Sequence, residues 1–265
     1  MVEIVEREDA IVIMLTRPAA LNLPVVAETV FDRLVLEVDP NDQMYGGNDG
    51  HYLSVGASAL NVIAAALQIA DVRSVNNILD FGSGAGRVAR WLRCAYPSAE
   101  MTVTDVREAD LDFCVSKLGA KKWHSGTDID ALKAPGTYDL IWVGSVLTHL
   151  SAERSLRLLH KLIDWTRDRG VVVVTLHGRM VIRLRSSGRV QYIYEEGWQQ
   201  VMSGYERDGY GYADYPGQDG YGLSLTALEW IGREVARLPD VRLLLASEHA
   251  WDGHHDVVAL QRGQM

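Results

Sequence analysis

Cysteine is nearly missing: Cys94 and Cys114 are the only two in 265 residues. Two thiols cannot staple a small fold or build a cysteine-rich zinc site. Their scarcity fits a reducing compartment. Basic charge is also short, with 26 Lys and Arg against 35 Asp and Glu, a net charge of −9. Proteins that grip phosphate backbones are usually basic, so nucleic acid is disfavoured as a partner. Near the start, the longest apolar stretch runs only over 10–15 and is followed by Arg17, Pro18 and Pro24. A membrane span needs about 20 apolar residues. A signal peptide opens on basic residues, whereas Glu3, Glu6, Glu8 and Asp9 come first here. There are no internal repeats or low-complexity runs. The expectation is a soluble, cytoplasmic protein without a membrane partner; an oligomer is possible but not derivable.

The rest of the composition is ordinary, 48% apolar and 23% charged, which excludes disorder and collagen-like repeats. The length allows one large domain or two small ones, with about three quarters of the unfolded surface buried on folding.

Residues 1–50 have little periodicity. A short helix is expected over 28–38, stopped by Asp39-Pro40, with a glycine-rich loop at 46–50. Residues 57–70, rich in Ala, Leu and Ile, read as a buried helix. From Asn76 strands alternate with helices. Strands are expected at 78–81, 101–104, 122–124 and 138–143, and helices at 88–94 and 108–118. Ser151 is the expected N-cap of a helix reaching about Arg167, stopped by Arg169-Gly170. Val171 to Val174 are β-branched throughout, as in a strand covered on both faces. The alternation predicts an α/β fold with a doubly wound, mostly parallel sheet.

Residues 178–224 break the pattern. They hold nine glycines and seven of the eleven tyrosines, at 192, 194, 205, 210, 212, 215 and 221. Disordered tracts are poor in aromatics, so an ordered cap is expected. Thr226 and Glu229 suggest a capping box for a helix over 227–237. Residues 241–246 and 256–260 read as two closing strands.

The most informative stretch is Leu79-Asp80-Phe81-Gly82-Ser83-Gly84-Ala85-Gly86-Arg87, between a strand and a helix. That context gives a glycine turn meaning. A dinucleotide fingerprint wants its third glycine where this chain has Arg87. Asp80 ahead of the turn would repel a pyrophosphate and suits a ligand carrying an ammonium or sulfonium. A nicotinamide oxidoreductase is therefore disfavoured. Asp105 ends the next strand 25 positions on, where an acid can accept hydrogen bonds from ribose hydroxyls. Asp128 can bond an adenine amino group, or simply cap a turn.

These residues, with Ile129 and Tyr138-Asp139-Leu140-Ile141, resemble the class I, seven-stranded, Rossmann-like S-adenosylmethionine-dependent methyltransferases, closely over about 74–175 and more loosely through the tail to Leu260. The resemblance implies S-adenosylmethionine as cofactor. It implies that Asp80, Phe81, Gly82, Ser83, Gly84, Gly86 and Arg87 surround the methionine part. Asp105 would hold the ribose, Val106, Asp128 and Ile129 the adenine, and Gly144 and Ser145 the methyl-transfer cleft. Tyr52 and Gly56, ahead of the helix expected from 57, would close over the cofactor. It also implies an antiparallel edge from the last two strands. The domain division is 1–70, an N-terminal extension with a helix packing on the core, and 71–265, the cofactor-binding domain with the cap at 178–224.

His149 after the fourth strand and His177 after the fifth are the candidate general bases. His254 and His255 are weaker candidates, read as an edge or turn feature. No metal is expected, because no acid stands where metal-assisted relatives carry one. The Asn/Asp-Pro-Pro-aromatic motif of enzymes acting on planar nitrogens is missing; Gly144-Ser145-Val146-Leu147 stands there. Neither cysteine is near the fourth or fifth strand, where an RNA cytosine enzyme needs one. Cap tyrosines suit sugars or aromatic small molecules. Arg179, Arg183, Arg185 and Arg189 form either a subsite for an acidic acceptor or a solvated face. The expected function is methyl transfer to a small-molecule acceptor, at an oxygen of a sugar or secondary metabolite. The alternatives are an N-methyltransferase, a protein or nucleic-acid methyltransferase, and an inactive cofactor-binding scaffold.

Overall fold

The computed structural model describes residues 3–7 and 10–263. The chain opens with β1 (Glu3–Arg7) and β2 (Ala10–Met14), then α1 (Val25–Glu28) and β3 (Glu37–Val38). The three strands form an antiparallel sheet in the order β1-β2-β3. The helix expected over 28–38 is therefore not formed. A single 3₁₀ turn at Phe31–Arg33 stands in its place, and pairing of Val38 with Ile13 draws the segment into a strand. Tertiary pairing overrides a weak local preference.

Helix α2 (Asp49–Ile69) starts well before the expected 57. Asn48, expected in a loop, is its N-cap and accepts from the His51 amide at 3.0 Å. Gly56 lies inside this helix. A Cβ there would sit 2.3 Å from Trp91 and 2.5 Å from the Arg87 carbonyl, so glycine lets α2 approach the segment after the glycine turn. By length and composition α2 could cross a membrane, which the sequence reading missed. Here it is a core helix, mostly buried, and tied to the last hairpin by Trp251 Nε1, which donates to the Val55 carbonyl at 3.0 Å.

The main sheet follows: β4 (Asn77–Phe81), α3 (Ala89–Ala95), β5 (Glu100–Asp105), α4 (Glu108–Leu118), β6 (Lys121–His124), β7 (Tyr138–Val143), α5 (Ala152–Trp165) and β8 (Thr166–His177). An insertion comes next, made of α6 (Arg179–Ser186), α7 (Glu195–Asp208), β9 (Tyr210–Tyr215) and β10 (Gln218–Thr226). The chain closes with α8 (Leu228–Val235), β11 (Val241–Trp251) and β12 (His255–Arg262). The seven strands lie in the order β11-β12-β8-β7-β4-β5-β6. β4 to β8 pair in parallel, while β12 runs antiparallel to both β8 and β11.

Two apolar layers flank the sheet. Residues of α2, α3 and α4 fill one, with Trp91 and Trp142 at full burial. Residues of α5 and α8 fill the other, where Phe81, Trp123 and Trp165 meet at 5.5–6.3 Å. Two local expectations fail. Arg169, with φ +62°, lies within β8 at a register shift and does not end a helix. Ala227 caps α8 without a side-chain bond, so the Thr226–Glu229 capping box is absent.

Candidate active site

The chain lays strands outward from β4 to β6, then returns to β7 and builds the other way. The switch point lies between β4 and β7, and ligands of open α/β sheets sit at the C-terminal ends of the strands there. The loops after these two strands touch: a Cβ on Gly82 would sit 2.4 Å from Val146 and 4.0 Å from the Gly144 carbonyl. Gly82, Gly84 and Gly86 all have positive φ, so the turn doubles back tightly. Gly84 differs from its neighbours in facing open space, with nothing within 4 Å of where its Cβ would be. Its bare backbone is the accessible part of the turn.

Two acids flank it. Asp80 is buried, and its Oδ2 has no hydrogen-bond partner. Burial, with the Asp105 charge adding to it, pushes its carboxyl up to about 8, against a lowering contact from the Ala89 amide. An orphaned buried carboxyl is a costly feature that a cationic ligand would relieve. Asp105 accepts from the Gly84 amide at 2.9 Å through Oδ2 and from the Arg107 amide at 3.0 Å through Oδ1. Each carboxylate oxygen has two lone pairs, so both keep acceptor capacity for a diol. Val106 beside it is 53% exposed, an apolar face without a cover.

The other sequence-predicted residues divide. Ser83 is buried at the turn, and its amide joins that of Gly82 on the Thr104 carbonyl. Arg87 lies over the Trp251 ring at 5.9 Å. Ser145 has φ +57°, an unusual conformation for a residue with a Cβ. Its amide donates to Thr175 Oγ1 at 2.7 Å, a partner that the sequence reading missed. Asp128 is exposed, and its Oδ1 accepts from the Asp130 amide at 2.9 Å, the turn-capping role. Ile129 is buried with Leu132 in the core layer beneath.

Two residues are not where the sequence reading needed them. The Phe81 ring packs into the tryptophan cluster, leaving only its backbone to the turn. Tyr52 lies within α2, not ahead of it, and is fully buried. Its hydroxyl donates to Asp42 at 2.6 Å and accepts from Arg90 at 3.2 Å. That network also was not legible in the sequence. Arg90 is buried and donates to the carbonyls of Gly86, Val35 and Glu37 at 3.2, 2.8 and 2.8 Å.

The histidines differ sharply. His149 follows β7 in a 3₁₀ turn (Leu147–His149). Its Nδ1 lies 2.9 Å from the Gly222 carbonyl and so carries the proton, which leaves Nε2 as an acceptor. Tyr221 stacks on the ring at 4.8 Å, and the Tyr215 hydroxyl lies 3.2 Å from Nδ1. Burial lowers its pKa, and the Gly222 bond partly opposes this. His177 ends β8 at 3% exposure, under Tyr192 at 5.2 Å. Burial first, then the neighbouring histidines, hold its pKa well below 6.5. A ring that resists protonation this strongly is a poor proton acceptor.

Three of the seven insertion tyrosines, Tyr192, Tyr215 and Tyr221, thus gather at the two histidines. Two of the four arginines over 179–189 have different acidic partners. Arg179 pairs with Glu248, and Arg185 pairs with Glu195 and lies over Trp198.

Residues 78–170 match a family described as a methyltransferase domain. No curated protein matches the sequence. The fold is similar to that of an S-adenosylmethionine-dependent methyltransferase from Clostridium acetobutylicum, with TM-score 0.56 and 11% identity over 78% of this chain and 92% of that one. It is similar to Streptomyces venezuelae DesVI, with TM-score 0.53 and 14% identity over 89% and 98%. It is also similar to magnesium protoporphyrin IX methyltransferase from Synechocystis with bound SAH, with TM-score 0.52 and 12% identity over 81% and 87%. At these identities the likeness is one of fold. Residues 78–170 thus carry a methyltransferase domain, and the sheet order and glycine turn give the chain the fold of the class I S-adenosylmethionine-dependent methyltransferases.

Proposed function

We propose that the chain methylates an oxygen of a small-molecule acceptor, a sugar or an aromatic secondary metabolite, with His149 as general base. The observation that carries this reading is the His149 ring: its tautomer is set by Gly222, its Nε2 is left to accept a proton, and tyrosines surround it. S-adenosylmethionine supplies an electrophilic methyl carbon when bound. Asp80 and the Gly84 backbone would hold the cationic methionine part, Asp105 would accept from the ribose hydroxyls, and Val106 would pack on the adenine. Tyr192, Tyr215 and Tyr221 offer flat faces and hydroxyls to the acceptor, and the insertion excludes water from it. His149 would take the acceptor's proton through Nε2 as the acceptor oxygen bonds the methyl carbon and the carbon–sulfur bond breaks, its electron pair staying on the departing thioether sulfur. Residues 1–70 serve as a packing extension to the catalytic domain of 71–265.

Calorimetric titration with S-adenosylmethionine and its demethylated product tests the cofactor side. Both ligands bind, and Asp105→Asn weakens them by about 1.5–3 kcal/mol, the range for hydrogen bonds to a charged group. No binding of either ligand overturns the reading. An acceptor screen with radiolabelled methyl donor then separates hydroxyl from amine acceptors. Transfer to amines alone would replace the oxygen assignment.

Asp80 gives an independent sign. Below about 8 its carboxyl is mostly protonated in the free protein. A cation bound beside it favours the ionised form, so binding expels that proton. At pH 7, titrations in buffers of different ionisation enthalpy should report release of about one proton per ligand. In Asp80→Asn the release disappears and affinity falls. Equal proton release in both proteins would remove Asp80 from the site.

A further inference from the structure

Among the described residues, one cluster of ligating side chains is left over from this chemistry. His177 ends β8, His255 opens β12, and the antiparallel register sets them opposite each other. The turn through Asp252 and Gly253, both at positive φ, brings His254 alongside. Ring centroids lie 4.8 Å apart for His177 and His255 and 4.1 Å for His254 and His255. One ring nitrogen from each of the three lies within 4.8 Å of the others.

Packing alone accounts poorly for this. His255 is 4% exposed, and neither of its ring nitrogens has a hydrogen-bond partner; Nδ1 of His177, at 3% exposure, has none either. A neutral imidazole needs an acceptor for one nitrogen and a donor for the other, and burying both unmet costs stability. His254 is differently arranged. Its Nδ1 lies 2.7 Å from the Asp252 carbonyl and donates to it, so its Nε2 lone pair accepts from the Tyr192 hydroxyl at 3.2 Å, a single bond that a metal ion would displace. A ligating histidine is commonly fixed by such a bond from its other nitrogen to a carbonyl.

We propose that His177, His254 and His255 bind a divalent transition-metal ion of the zinc class, with a fourth position open beside Tyr192. Three neutral imidazoles without a carboxylate favour zinc-like ions over magnesium or calcium. Three protein ligands plus one open position is the arrangement of catalytic zinc sites. Bonds of about 2.0–2.1 Å would draw the nitrogens to about 3.4 Å apart, a side-chain adjustment from their present spacing. The His149 ring lies 6.4 Å from that of His177. On the methyl-transfer reading, an acceptor oxygen at the open position would be polarised next to the base.

The test uses the full chain, purified without a histidine tag and stripped with a chelator. Co²⁺ alone and Zn²⁺ alone are added, with elemental analysis for stoichiometry and visible absorption for cobalt geometry. One ion per chain and a tetrahedral cobalt spectrum, abolished by Zn²⁺, are expected. His255→Phe keeps a ring in the buried slot without nitrogens, and His254→Ala changes only the turn. Each should weaken binding at least about 100-fold. Substoichiometric binding by the wild type, or wild-type affinity in both variants, overturns the proposal. Should His255→Phe not fold, wild-type stoichiometry and His254→Ala decide it. SAH titration of the same stripped protein keeps the outcomes separate, because cofactor binding without metal binding removes only the metal site.

Discussion

His149→Gln should lower kcat by about 10²–10⁴, the range for loss of a general base, with little change in cofactor affinity. The imidazole is held at Nδ1 by Gly222 and stacked by Tyr221, so its orientation is fixed before an acceptor arrives. Its pKa is displaced below 6.5 by burial. A base works in its unprotonated form, so activity should rise with pH through a value under 6.5 and then level off. That acidic limb should be missing from His149→Gln. Unchanged kcat, or a limb that persists, would assign the acceleration to proximity and alignment alone. The matching His177→Gln change should leave the limb in place, because burial holds the His177 pKa well below that of an ordinary histidine.

The second large effect is on stability. Arg90→Met should cost about 3–5 kcal/mol, as expected when one partner of a buried charged network is removed. The guanidinium is fully buried and joins three parts of the chain. It bonds the glycine turn at Gly86, the segment before and within β3 at Val35 and Glu37, and α2 at Tyr52. Through the Tyr52 hydroxyl its charge faces Asp42. Methionine fills similar space but leaves the Val35 and Glu37 carbonyls without that donor, and the Tyr52–Asp42 pair without the neighbouring positive charge. Urea unfolding measures the loss as a shift in midpoint at constant slope. A loss under about 1 kcal/mol would mean that water or rearrangement replaces the network. Cofactor affinity should fall as well, because Gly86 belongs to the turn.

The core was legible where local pattern and tertiary role coincide. The Val171 to Val174 run reads as a covered strand because it is one. The glycine turn and its acids stand out because sharp backbone geometry leaves few residue choices. The first fifty residues were harder. Glu37 and Val38 become a strand only by meeting β2, and Asn48 becomes a cap only because α2 starts at Asp49. Gly50 and Gly56 look like breakers, yet the second is required by the contact with Trp91. Arg90 sits inside an apolar helix, and apart from Gly86 its partners lie 38 to 55 positions away with nothing local to mark them. The histidine cluster has the same cause: His177 and His255 meet through strand register, not through sequence proximity.

One bond has a wider reach than its length suggests. The carbonyl that fixes the His149 tautomer belongs to Gly222, in the hairpin strand of the insertion and not in the sheet. On the proposed reading, acceptor choice and proton-transfer competence would be mechanically one property in this chain. Grafting a relative's insertion to change the substrate would also reset the base, unless the graft returns a carbonyl to that point. Conversely, a small molecule that only lifts the β9–β10 hairpin would slow turnover while leaving the nucleotide end of the cleft intact. Inhibition of that kind would be noncompetitive toward S-adenosylmethionine.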